Sequence, residues 1–526
     1  MLGGGALSVS TPRRRPNIVL IMADDMGFSD IGCFGSEIDT PNLDRMAAGG
    51  VRFTRMYNTA RCCPTRASLL TGLYSHQAGV GWMVQDHQVP AYRGFLNDRC
   101  VTIAEALREG GYQTLMTGKW HVGERRPHWP VDRGFERYYG LVSGGSNYFS
   151  LDPDRVMALD DKPVQPEGRD FYFTDAFSDY AVRFLDERRR DKPFFLYVAY
   201  TAPHWPLHAP GAEIRKYQDR YRGGWDVLRS TRHERMIRAG IVDRRWALTP
   251  RDEEAPAWKA APHKDWEARR MAVYAAQIDR MDQGIGRIMR KIRETGAEDN
   301  TLVMFLSDNG GCAEGIAANF RSLQGKVTTA GGKVVQYGNL PTILPGPANT
   351  FQSYGRAWAN ASNTPFRLYK HWVHEGGIAT PFIAYWPSAT RARGAIVPQV
   401  GHVIDLLPTC LDAAGVSYPR TLGGRNITLT QGISLVPAMA GSAVNRPGPL
   451  FWEHEGNCAV LDGEWKIVRR YGAGWELYNL ARDRTELVNL AAADPERAKA
   501  MAGAYAGWAE KCGVLTPDQL RRIHAI

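Results

Sequence analysis

Residues 17–23, Asn-Ile-Val-Leu-Ile-Met-Ala, form a short continuous apolar run that stops at Asp24-Asp25. A run of that length, apolar at successive positions, predicts a strand buried on both faces, as in a parallel sheet. Thr40-Pro41 predicts the N-cap and first position of a helix that Gly49-Gly50 ends. A second helix is predicted from Val101 to about Glu109, stopped by Gly110-Gly111. The strand Tyr112–Met116 then runs into Thr117-Gly118-Lys119-Trp120-His121. Thr174 is placed to cap a helix carrying Phe177, Tyr180, Ala181, Phe184 and Leu185 on one face. That helix leads into a strand over Phe194–Tyr200 and the loop Thr201-Ala202-Pro203-His204-Trp205-Pro206.

Residues 208–265 have no clear period and predict an insertion over the sheet. Met271, Tyr274, Ile278, Met281, Ile285, Ile288 and Ile292 recur at helical spacing, so one long helix is predicted from about Trp266 to Thr295. The strand Thr301–Leu306 ends in Ser307-Asp308-Asn309-Gly310. Residues 311–377, rich in Gly, Asn, Ser and Thr, predict loops near a site rather than a core. A strand Ala379–Trp386 and a helix His402–Ala414 close the alternation. From about Gly441 the pattern changes to short strand-like pieces at 460–461, 465–469 and 476–478, then a helix from about Pro495 to Lys511. The fold class is α/β: a mixed, mostly parallel sheet with helices on both faces, plus a smaller C-terminal α+β domain with an antiparallel sheet. The divisions expected are a tail at 1–16, a larger α/β domain at 17–440 and the smaller domain at 441–526.

Composition changes this picture little. A chain of 526 residues exceeds what one core usually supports, and 44% hydrophobic with 23% charged residues is ordinary for a globular protein. The net charge of +10 rests on scattered arginines, with Arg13-Arg14-Arg15 and Arg188-Arg189-Arg190 densest, and no nucleic-acid motif accompanies it. The eight cysteines show neither framework spacing nor a C-x-x-C pair, so neither a disulfide scaffold nor a zinc ribbon is expected. No run approaches a membrane span, and Met1–Pro16 lacks the apolar core of a signal peptide. A cytoplasmic location is the expectation, or a periplasmic one if a leader has been removed.

The chemistry gathers where strands end, which is where open parallel sheets bind ligands. Asp24, Asp25, Asp308 and Asn309 offer only oxygens, a set for a hard cation. Ca²⁺ is expected over Zn²⁺, because no His/Cys set accompanies them. Either pair alone would be an ordinary turn-former; two, each directly after a buried strand, argue for metal. Pro64 suits a first helical position, which puts Cys62 just ahead of a helix N-terminus with Arg66 one turn in, together an anion site. Cys62 as a plain thiol would be a nucleophile activated by Arg66 and the helix end, whereas Cys63 reads as a small buried residue. Lys119 and His121, at i and i+2 on an extended segment, point the same way. Beside an anion pocket the lysine would orient negative oxygens, and His121 or His204 could move a proton. His208 and His371 are weaker proton-transfer candidates, and Lys370 by spacing alone is a loop lysine.

The residues also spell a family. Cys62-x-Pro64-Thr65-Arg66-x-x-x-Leu70-Thr71-Gly72 resembles the main sulfatase signature, and Gly111–His121 resembles the second. Asp24-Asp25 and Ser307–Gly310 sit where type I sulfatases of the alkaline phosphatase superfamily carry metal ligands. The wording around His204 and Lys370 is similar to bacterial arylsulfatases. The resemblance implies an alkaline-phosphatase-like sheet and hydrolysis of a small sulfated substrate. It implies that Cys62 is oxidised by a formylglycine-generating enzyme to Cα-formylglycine, whose hydrate attacks sulfur. It places one Ca²⁺, ahead of Mg²⁺ or Mn²⁺, on Asp24, Asp25, Asp308, Asn309 and residue 62. Arg66, Lys119 and Lys370 would then stabilise charge, His204 would protonate the departing alcohol, and His121 would take the proton that lets sulfate leave. The rival readings are a phosphonate monoester or phosphodiester hydrolase on the same scaffold, and a non-catalytic binder of sulfate esters.

Overall fold

The structure is a computed structural model that describes residues 15–168, 170–320, 327–329 and 331–524. Residues 1–14, most of the expected tail, and Arg13-Arg14 lie outside the described residues.

A ten-stranded sheet organises the chain. Its spatial order is Ala395–His402, Val51–Tyr57, Ala379–Tyr385, Thr301–Ser307, Asn17–Ala23, Phe194–Ala199, Gln113–Gly118, Arg137–Leu141, Met157–Leu159 and Lys162–Pro163. Asn17–Ala23 lies at the centre, parallel to Phe194–Ala199 on one side and to Thr301–Ser307 on the other. Ala379–Tyr385 runs antiparallel to both its neighbours, and Met157–Leu159 is antiparallel to Arg137–Leu141. The sheet is therefore mixed but mostly parallel, as expected.

The continuous apolar run at 18–23 exists because side chains alternate between two cores. Val19, Ile21 and Ala23 belong to one, and Ile18, Leu20 and Met22 to the other. Burying each of the larger side chains contributes about 1.5–3 kcal/mol. The helix Lys264–Glu294 covers the first face together with Phe173–Glu187, burying the Met271-to-Ile292 stripe. Helices Cys62–Thr71, Ile103–Glu109 and Leu406–Ala414 cover the second.

Beyond residue 449, Leu450–His454, Asn457–Asp462, Trp465–Arg469 and Glu476–Asn479 form a four-stranded antiparallel sheet. The helix Pro495–Cys512 packs on it, with Trp508 stacked on Phe451. This smaller unit is bound tightly to the main sheet. Trp452 Nε1 donates to the Asn58 carbonyl at 2.7 Å, and Glu375 is clasped by Lys466 at 3.0 Å and Arg484 at 2.9 Å.

Several local expectations are revised. The insertion at 208–265 contains two helices, Gly211–Tyr217 and Gly224–Arg238. The second buries Arg229 and Arg232 instead of an aliphatic stripe, so it carries no apolar period. Thr40 holds the expected N-cap position with Pro41 first in the helix, but its Oγ1 accepts from the Gly32 amide instead of a helix amide, and Thr174 lies inside its helix rather than capping it. The strands Val51–Tyr57 and Ala395–His402 escaped prediction, the first interrupted by Arg52 and Arg55, the second by Pro398, which an edge strand tolerates.

Candidate active site

The carboxyl ends of Asn17–Ala23, Gln113–Gly118, Phe194–Ala199 and Thr301–Ser307 converge, and the predicted residues meet there. The helix starts at Cys62 itself, with Arg61 as N-cap, so Pro64 is its third residue rather than its first. Proline is still tolerated, because the first four amides of a helix have no intrahelical acceptor. Arg66 is fully buried and does not line an open anion site. Its guanidinium donates to Asp308 Oδ2 at 2.8 Å and to the Lys119 carbonyl at 2.9 Å, and lies 3.5 Å from Asp24 Oδ2.

Lys119 leaves its strand through Gly118, where φ is +101° and a Cβ would fall 1.9 Å from the Ala199 carbonyl oxygen. Only glycine fits there. Lys119 Nζ then reaches Asp24 Oδ2 at 2.6 Å. The extended segment expected at 119–121 breaks at His121, whose φ is +60°. His121 Nδ1 lies 3.6 Å from Cys62 Sγ while Lys119 faces the carboxylates.

Asp25, itself at φ +65°, is the hub of the other half. It accepts from Lys370 at 2.8 Å and Asn309 Nδ2 at 2.7 Å, and His204 Nε2 stands 3.5 Å away. The resemblance thus singled out in Lys370 a residue that spacing alone left as a loop lysine. His208, by contrast, is structural: fully buried, it accepts from the Tyr148 amide and donates from Nε2 to the Thr350 carbonyl at 2.6 Å.

Charge in this buried cluster is set by competition. Burial pushes the Asp24 carboxyl up, but Lys119, then His204 and Arg66, outweigh it and hold it below the carboxylate range. Burial, and then the neighbouring Asp24, push Asp308 well above that range. Burial lowers Lys370, yet Asp25 more than compensates and keeps it protonated. Burial and then Lys119 bring His121 down to about 4, so it is neutral near pH 7. The hydrogen bond from Cys63 outweighs burial at Cys62, and Lys119 and His121 also favour its thiolate.

The donor set fits a hard cation. Arg66, Lys119 and Lys370 engage the three carboxylates, yet Asp24 Oδ1 and Asn309 Oδ1 are buried with no hydrogen-bond partner. Buried acceptors left in that state are costly unless something fills their lone pairs. Asp24, Asp25 and His204 present ligand atoms within 4.8 Å of one another.

Sequence reasoning missed the outer ring. Arg61 pairs with Glu314 at 2.7 Å, and Glu314 also accepts from Trp205 Nε1 at 3.1 Å, joining the flanks of Cys62 and His204. Gly144 and Gly145 press on both histidines: a Cβ would lie 2.9 Å from His121 Nε2 and 3.1 Å from His204 Cε1. Glu455, from the smaller sheet, meets His371. The Gly-Gly pair was the one visible signal. Above Lys370 a cleft of about 750 Å³ opens, lined by Arg61, Glu314, His371, Trp372 and Glu455 among others.

The sequence model of the sulfatase family matches residues 16–416. The chain belongs to the sulfatase family. It is 34% identical to an uncharacterized sulfatase of Schizosaccharomyces pombe over 98% of this chain and 97% of that protein. It is likewise 34% identical to an arylsulfatase of Klebsiella aerogenes, over 83% of this chain and 94% of that one. The crystal structure of Ps i-CgsB superposes with a TM-score of 0.68 at 25% identity, covering 94% of this chain and 93% of that one. This sulfatase is a sulfuric ester hydrolase on an alkaline-phosphatase-like fold. No helix among its described residues is long and apolar enough to cross a membrane.

Proposed function

We propose that this sulfatase hydrolyses sulfate monoesters of the aryl type, using an oxygen nucleophile made by converting Cys62 to Cα-formylglycine, and one Ca²⁺. The observation that carries the reading is an oxygen-only cluster that engages three buried cations yet retains unpartnered acceptors, with Cys62 beside His121 at the helix start. Asp24, Asp25, Asp308 and Asn309, with residue 62, would hold the cation. Bound there, it supplies Lewis-acid polarisation and lowers the pKa of a coordinated hydroxyl.

The chain's own residues do the rest. Lys119 and Lys370 are positioned to stabilise the sulfuryl oxygens, and Arg66 holds Asp308 and Asp24 in place behind them. His204 Nδ1 donates to the Trp205 carbonyl at 2.5 Å, so the proton it exchanges with the leaving oxygen is carried on Nε2, the nitrogen facing Asp25. His121, neutral and with Nδ1 toward residue 62, is placed to accept the proton whose loss lets sulfate leave. Maturation requires a formylglycine-generating enzyme as a transient partner.

Two measurements test this. The peptide spanning residues 62–66 should carry an aldehyde mass, and unmodified Cys62 in fully active protein would overturn the nucleophile assignment. An aryl sulfate should be turned over faster than an aryl phosphonate monoester or a phosphodiester; the reverse order would reassign the enzyme to phosphonate or phosphodiester hydrolysis.

A further inference from the structure

The first hairpin of the smaller sheet carries a polar cluster of its own beside the cleft. Leu450–His454 and Asn457–Asp462 are joined through Glu455 and Gly456 alone, at φ +50° and +80°. That is a tight two-residue turn, which fixes His454, Glu455 and Asn457 against one another. His454 is fully buried, and neither of its ring nitrogens has a hydrogen-bond partner. An imidazole left in that state forfeits the hydrogen bonds its nitrogens made in water, and no step of the hydrolysis uses it. Burial, against the pull of Glu455, brings its pKa down to about 3, so near neutral pH it offers a free lone pair.

Two other groups meet it there. The Glu455 carboxylate stands between two imidazoles, with Oε2 3.1 Å from His371 Nδ1 and Oε1 3.6 Å from His454 Nε2. The two rings are edge-on, 5.6 Å apart between centroids, and one ligand atom from each of the three residues lies within 4.8 Å of the others. Neighbouring ligands on a four-coordinate Zn²⁺ are about 3.4 Å apart, given bonds of about 2.0–2.2 Å, and the two measured separations bracket that value. Trp82 Nε1 donates to Glu455 Oε1 at 2.7 Å, which orients the carboxylate from outside the cluster. His371 and Glu455 are partly exposed and line the cleft, which gives an ion a way in.

We propose that His371, His454 and Glu455 form a second metal site, for Zn²⁺, that fastens the hairpin to the loop delivering Lys370. It differs in kind from the oxygen-only cluster around Asp24: two imidazoles and one carboxylate suit a borderline ion such as Zn²⁺, whereas Ca²⁺ prefers oxygens. Three protein ligands leave a fourth position facing the cleft. Zn²⁺ takes the lone pair of His371 Nδ1, so that ring's proton moves to Nε2, which Asn457 Nδ2 faces at 3.2 Å in the metal-free protein. The Asn457 amide then turns over to present Oδ1, giving up its bonds to the Tyr471 amide and the His454 carbonyl. That rearrangement weakens the site, and a side chain at 457 that only accepts avoids it.

The test uses the full-length protein in excess Ca²⁺, which fills the oxygen cluster, and Co²⁺ as a visible probe for Zn²⁺. One equivalent of Co²⁺ should give the d–d bands of a four-coordinate ion; Zn²⁺ should displace it and further Ca²⁺ should not. Glu455→Gln, which keeps the hydrogen bond to His371, and His454→Gln should each weaken binding at least about tenfold, and Asn457→Asp should tighten it. Absence of the bands in excess Co²⁺, or binding untouched by Glu455→Gln and His454→Gln, overturns the site. So do sulfur-to-Co²⁺ charge-transfer bands, which would put the ion on Cys62 and Cys63, and displacement by Ca²⁺, which would put it among the oxygens. Failure of Asn457→Asp to tighten binding would take His371 out of the ligand set and overturn the three-residue assignment.

Discussion

Glu455 Oε2 lies 3.1 Å from His371 Nδ1, tying the smaller sheet to the residue that follows Lys370. Asn457 Nδ2 donates to His371 Nε2 at 3.2 Å, so the imidazole proton sits on Nδ1 and points at the carboxylate. His371 has φ +87°, outside the usual range for a residue with a Cβ, and is also held through its amide to the Ala60 carbonyl at 2.8 Å. The hairpin thus sets the path of the loop that delivers Lys370. Glu455→Ala should lower kcat on an aryl sulfate about tenfold, equivalent to about 1.4 kcal/mol. Glu455→Gln, which can still accept from Nδ1, should recover most of it. A change in KM alone would show that Glu455 does not position Lys370.

Arg66 should be indispensable to the fold as well as to the site. Arg66→Ala would leave Asp308 and Asp24 buried with less compensation, at a cost of about 3–5 kcal/mol. Lysine cannot span both Asp308 and the Lys119 carbonyl, so Arg66→Lys should also lose stability. Urea unfolding of the two variants checks this, with unchanged midpoints as the contrary result.

Cation loading should be visible without turnover. Metal-stripped protein titrated with Ca²⁺ should rise in Tm and go on rising logarithmically once the site is filled, since ligand at a hundred times its Kd adds about 2.7 kcal/mol. Asn309→Ala removes one of the two unpartnered acceptors and should weaken the effect. A Tm indifferent to chelator and to Ca²⁺ would argue against the site.

Stability should fall in mild acid. His208 is fully buried and neutral, and burial brings its pKa down to about 4. The unfolded chain takes up that proton near pH 6.5, so between about 6.5 and 4 the unfolded state binds more protons and stability declines as pH drops. The full loss from this one group approaches about 3 kcal/mol, at about 1.4 kcal/mol per unit. Above pH 6.5 it contributes no slope. His208→Gln should flatten the pH dependence of the unfolding free energy across that window, measured by denaturant titration.

Gly118→Ala should fail to fold normally. The new methyl would meet backbone, the Ala199 carbonyl at 1.9 Å, and the φ of +101° disfavours any side chain. Soluble expression with parental Tm would contradict the packing described for this strand end.

The sequence by itself determined the fold class, the central strands and the family. Central strands such as 17–23 are apolar on both faces and announce themselves, and so does the Met271-to-Ile292 stripe. The signatures around Cys62 and Lys119 are local in the chain, and so were readable. Tertiary structure decided which of these groups oppose one another. Asp25 meets Lys370 across 345 positions, Arg66 turns inward to Asp308 rather than outward to an anion, and Arg61, Glu314, Trp205 and Glu455 enclose the site without any spacing to betray them. Helix and strand patterns encode which face of an element is buried. They carry no record of which distant charge that face will meet, because pairing depends on where the sheet order places each strand end.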